Sequence, residues 1–72
     1  MESIYISTEF IKLGQFLKLC GEAGSGSEAR IMIESGLVRV NGEKIFLRGK
    51  KVFPGDIIIA GPGKEYEVTG GK

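Results

Sequence analysis

The chain has no histidine and a single cysteine, and each shortage closes off a class of chemistry. Without histidine, the usual zinc ligand and the usual general base are both missing. A lone Cys20 cannot form an intramolecular disulfide, so nothing covalent braces the fold. Long hydrophobic runs are absent too. The longest strictly apolar stretch is Ile57 to Ala60, against the ~20 residues that a membrane-spanning helix needs. The first residues, with Glu2 and Glu9 around Ile4-Tyr5-Ile6, lack the basic start and apolar core of a secretory signal. A reduced, cytoplasmic protein is expected, with no metal, no cofactor and no membrane partner.

What is present fits one small domain. The 72 residues are 42% hydrophobic and 26% charged, a globular balance, although a chain this short buries only ~60% of its unfolded surface. The net charge of +1 is unevenly spread. Residues 1–38 set Lys12, Lys18 and Arg30 against Glu2, Glu9, Glu22, Glu28 and Glu34, a local −2. Residues 39–56 set Arg39, Lys44, Arg48, Lys50 and Lys51 against Glu43 and Asp56, a local +3. A concentrated basic patch on a near-neutral domain points to a polyanion met by one face.

The order of elements reads β-α-α followed by a small antiparallel sheet, an α+β fold. Ile4-Tyr5-Ile6 is a short leading strand. Leu13, Phe16, Leu17 and Cys20 repeat at i, i+3, i+4, i+7 and predict a short helix ending at Gly21. Ser25-Gly26-Ser27-Glu28 has the form of a capping box, opening a second helix that Gly36 closes in the left-handed conformation. Asn41-Gly42 is the preferred pair for a two-residue hairpin turn, which sets Val40 opposite Glu43, Arg39 opposite Lys44, and Val38 opposite Ile45. Val52-Phe53, Ile57 to Ala60 and Tyr66 to Val68 are further strands, with Pro54-Gly55 in a type II turn. Residues 70–72 are expected to fray.

Two places carry candidate chemistry. Arg39 opposite Lys44 costs a hairpin up to ~1 kcal/mol, and a bridging phosphate would favour both. Phe46 falls on the same face if the strand continues, where it offers a stacking surface for a base; Arg48, Lys50 and Lys51 extend the patch. The competing reading is a solvated hairpin whose lysines discourage edge pairing, with Phe46 folded into the core. The second candidate is the start of the second helix, where free amides near Ser25 and Ser27 and the guanidinium of Arg30 suit an anion. Against it stands a plain helix cap with Arg30 paired to Glu34. Cys20, on an apolar helix face, reads as a core thiol. Gly21 to Ser27 lacks the lysine of a phosphate-binding loop, and no catalytic constellation is visible.

Ser25-Gly-Ser-Glu-Ala-Arg, an apolar helix to Gly36, Val38-Arg-Val-Asn-Gly and then Pro54-Gly-Asp together resemble the S4 RNA-binding domain. The likeness runs from about Leu13 to Ile59 and is strongest to the small stand-alone bacterial members. It implies the S4, or αL-type, RNA-binding fold over residues 1–72 as a single domain. It also implies an RNA surface made by the second helix and the hairpin, with Ser25, Ser27, Arg30, Arg39 and Lys44 at matching positions. Arg48, Lys50 and Lys51 match more loosely. The implied partners are structured RNA, ribosomal RNA first and tRNA next, and ribosome or ribosome-assembly proteins, with no enzymatic activity and no small-molecule substrate. Gly26, Ile31 and Glu43 replace residues that are often polar or basic in the family, which lowers the expected affinity. Two rivals are a β-grasp sulfur carrier, suggested by Gly70-Gly71, and a protein-interaction module that uses Ile31, Phe46 and Phe53.

Overall fold

The first and last strands of the fold lie side by side. In the computed structural model, which describes residues 1–70, β1 (Glu2–Ile6) lies parallel to β7 (Lys64–Gly70), with Ile4 opposite Val68 and Ile6 opposite Gly70. β6 (Ile57–Gly61) runs antiparallel to β7 and to β3 (Arg39–Val40), and β4 (Glu43–Lys44) closes the sheet in the order β1-β7-β6-β3-β4. The strands after the helices are antiparallel, as the turns require. The leading strand makes the sheet mixed, a pairing that no local pattern signals.

The helices follow their apolar spacing. α1 (Leu13–Leu19) buries Leu13, Phe16 and Leu17, and α2 (Gly26–Glu34) buries Ala29 and Ile33. These meet Val40, Ile58 and Val68 from the sheet, and Val38 just before β3, in one core, each large side chain contributing about 1.5–3 kcal/mol. Phe16 meets Tyr66 edge to face with centroids 6.2 Å apart. Cys20 packs against this core half-buried, and burial pushes its thiol above the ordinary value.

The predicted turns and caps have the expected backbone. The Ser25 hydroxyl accepts the Glu28 amide at 3.1 Å, while the Glu28 carboxylate reaches back to the amide of Gly24. At the other end the Gly36 and Leu37 amides return to the Ile33 and Met32 carbonyls, and Gly36 has φ +82°. Asn41 and Gly42 both take positive φ, as a type I′ turn demands, and set Arg39 opposite Lys44. Phe53-Pro54-Gly55-Asp56 closes with the Asp56 amide on the Phe53 carbonyl at 3.0 Å.

Gly70, expected to fray, instead completes β7. Pro54 packs so closely there that a Cβ on Gly70 would lie 2.7 Å from its Cγ. The rest of the expected tail, 71 and 72, lies outside the described residues.

The strand expected at Val52-Phe53 forms one residue earlier, without Phe53, and lies outside the main sheet with an unexpected partner. β2 (Ile11–Lys12) pairs antiparallel with β5 (Lys51–Val52) in a separate two-stranded sheet. It continues as backbone contacts: the Leu13 amide donates to the Lys50 carbonyl at 2.8 Å and the Gly14 amide to the Arg48 carbonyl at 3.0 Å. The first turn of α1 is thus capped by backbone, not by the side chain of Lys12. This capping pins the basic 48–50 segment against the helix.

Candidate nucleic-acid interface

The hairpin, the pinned segment and α2 enclose a cationic groove. After β4 the chain leaves the sheet, and a turn closed by the Lys50 amide on the Leu47 carbonyl places Arg48 and Gly49 at its tip. An open groove of about 780 Å³ results, lined by Arg30 and Glu34 of α2 and by Lys44, Phe46, Leu47, Arg48 and Lys50. Arg48 and Gly49 also line a second hollow of about 310 Å³ with Lys12, Lys18, Gln15 and Gly26, the first residue of α2. The two hollows meet at Arg48, so a basic strip runs from the hairpin past the start of α2 to α1.

The proposed residues divide accordingly. Arg30, Lys44, Phe46, Arg48 and Lys50 come together in the first groove. Arg30 also holds Glu34 at 3.0 Å, as the plain-cap reading has it, but both side chains are more than half exposed. Such a pair is worth about 0.3–0.5 kcal/mol, little enough for a phosphate to displace. Arg39 faces Lys44 in register yet turns away, its Nη1 donating to the Gly42 carbonyl at 3.1 Å.

Lys51 stands outside the groove lining, with its Nζ 4.7 Å from the centroid of Phe10. Phe53 lies beside the same ring at 5.8 Å, so it is engaged in a separate cluster from Phe46. Ser25 and Ser27 are exposed at the start of α2, where Ser25 already accepts the Glu28 amide. The amides of Gly26 and Ser27 remain as first-turn donors. Glu28 places a carboxylate at the same helix end, which an arriving phosphate would also meet.

Several residues that build this surface carry no distinctive local pattern. Lys12 and Lys18 enter the sequence reading only through the local charge balance, and the second hollow places them beside Arg48. Asn41 read only as a turn residue. Its Nδ2 donates to Asp56 at 3.1 Å and its Oδ1 accepts the Ile57 amide at 2.9 Å, which ties the hairpin to the Pro-Gly-Asp turn. Both turns are present in the sequence, but contacts over 15 residues and more carry no local periodicity.

At the far edge of the sheet the surface is acidic. Glu2, Glu22 and Glu65 line a hollow with Lys64, and Tyr66 donates its hydroxyl to Glu22. That bond, ahead of burial and the Glu22 charge, raises the Tyr66 phenol well above its ordinary value. No group of His, Cys, Asp and Glu among the described residues could hold a metal ion.

With this geometry in view, residues 4–69 match the family described as S4 domain. The chain belongs to the S4 domain family. The match extends beyond the Leu13–Ile59 likeness and takes in the second half of β1 and nearly all of β7. The S4 chain is also 44% identical over 55 residues to the probable ribosome maturation protein RlbA of Bacillus subtilis (strain 168), covering 76% of this chain and 78% of that protein. Membership fits the order strand, helix, helix, hairpin, and leaves no support for a β-grasp carrier.

Proposed function

We propose that this S4 protein is a non-catalytic, cytoplasmic RNA-binding module that docks α2 and the β3–β4 hairpin on structured RNA. Ribosomal RNA is the first candidate and tRNA the second, and the role is in ribosome assembly or surveillance. The observation that carries this reading is the convergence of Arg30, Lys44, Arg48 and Lys50 in one groove, continued at Arg48 by Lys12 and Lys18. Like-charged groups held together without a matching set of acids repel one another, and a phosphate backbone removes that repulsion. The similarity to a protein named for ribosome maturation supports a ribosome-related RNA partner.

Binding to fragmented total RNA, with duplex DNA as control, tests the proposal across a salt series. Log affinity is expected to fall linearly with log salt, and the slope to become shallower by about 1.5 in a folded Lys44→Ala/Arg48→Ala variant. Lys64→Ala, at the acidic edge, should leave the slope unchanged. Absence of RNA binding by the wild type at ~50 mM salt, where screening is weak, would overturn the reading. Co-sedimentation with ribosomal particles, lost in the double variant, would separate the ribosomal target from tRNA.

A further inference from the structure

Phe46 is 55% exposed in the middle of the cationic groove, so the core does not account for its position. The ring is nevertheless held. It packs over Gly36 at the end of α2, where a Cβ would lie 3.2 Å from its Cε1, and the Lys44 stem reaches the same spot at 3.9 Å. Arg48 and Lys50 line the groove beside it, while the Glu34 carboxylate there is taken by Arg30.

A supported aromatic face ringed by cations has a definite complement: a flat π system carrying phosphates on both sides. A continuous A-form duplex does not supply this, because its bases are stacked inside and its accessible groove shows hydroxyls and base edges. An unpaired nucleotide does supply it. We infer that the groove takes one unpaired nucleotide, from a bulge or helix junction, with its base stacked on Phe46 and its flanking phosphates on Lys44 and Arg48. This deepens the RNA-binding reading and rests on it. Gly36, lacking a Cβ, leaves room for the ring at the helix end.

The test uses two synthetic RNA hairpins of equal length, one fully paired and one with a single-nucleotide bulge, each carrying 2-aminopurine at the same position. At ~50 mM salt the bulged hairpin should bind ~10-fold more tightly, which is about 1.4 kcal/mol at 25 °C. Its 2-aminopurine fluorescence should be quenched on saturation. The ratio should persist at ~200 mM salt although both affinities fall, because stacking releases no counterions. Phe46→Leu, which keeps an apolar side chain, should bring the ratio to ~2 or below and abolish the quenching. Equal binding of both hairpins with unquenched 2-aminopurine would overturn the stacking inference and leave the RNA reading standing. Binding of neither hairpin, with total RNA also ignored, would overturn both and point to an acidic protein segment in the groove.

Discussion

At Gly36 two demands fall on one residue. Its φ of +82° ends α2, and the missing Cβ leaves space for Phe46. Gly36→Ala should cost about 1–2 kcal/mol from the left-handed backbone alone, read as a lower urea midpoint with an unchanged slope. Gly26→Ala is the contrast: it is helical, and a Cβ there meets nothing within 4 Å. It should hold or raise the midpoint, by up to ~1 kcal/mol. Tyr66 makes a second residue-scale prediction. Because its phenol titrates above the ordinary 10.0 when folded, it contributes stability below about that pH, and the contribution is lost as pH rises through the folded value. Stability measured from pH 9 upward should fall more steeply in the wild type than in Tyr66→Phe.

The hairpin and the Pro-Gly-Asp turn act as one element, although 15 residues separate Asn41 from Asp56. The Asn41 amide donates to the Ile57 carbonyl at 2.8 Å, and its side chain joins Asp56 and the Ile57 amide. Asp56 in turn accepts the Phe53 amide at 2.8 Å. A double-mutant cycle with Asn41→Ala and Asp56→Ala should give a coupling of about 0.5–1.5 kcal/mol in denaturant titrations, whereas independent turns would give none. The register of Arg39 and Lys44 was legible because the turn type fixes it. Their different fates were not, since the Arg39 contact with Gly42 depends on a rotamer that no pattern encodes.

Across the whole molecule charge is segregated: cations collect along α2, the hairpin exit and α1, and Glu2, Glu22 and Glu65 collect by the β1–β7 edge. A near-neutral protein can therefore present one cationic face to a polyanion. The same β1–β7 edge joins the two ends of the chain and seats Ile6 in the core. Deleting residues 1–6 removes that strand and a buried isoleucine without touching the groove. In a domain of this size, where 1 kcal/mol shifts the melting temperature by about 4–8 °C, the loss should exceed ~10 °C by calorimetry.

The sequence by itself determined the local structure: the bounds of α1, the Ser25 cap, the Gly36 stop, the hairpin register and the Pro54-Gly55 turn. Each follows from side-chain spacing or backbone preference within a few residues, where the physics is short-ranged. It also identified a basic segment and, through several motifs in order, the S4 family. Only the tertiary structure decided that β1 would pair in parallel with β7, that β2 and β5 would meet, and that Arg48 and Lys50 would be pinned to α1 by their own carbonyls. It likewise drew Lys12 and Lys18 toward the candidate interface and left Lys51 over Phe10. Those outcomes depend on which distant backbone groups find partners once the core closes, and two-residue strands carry too little pattern to announce it.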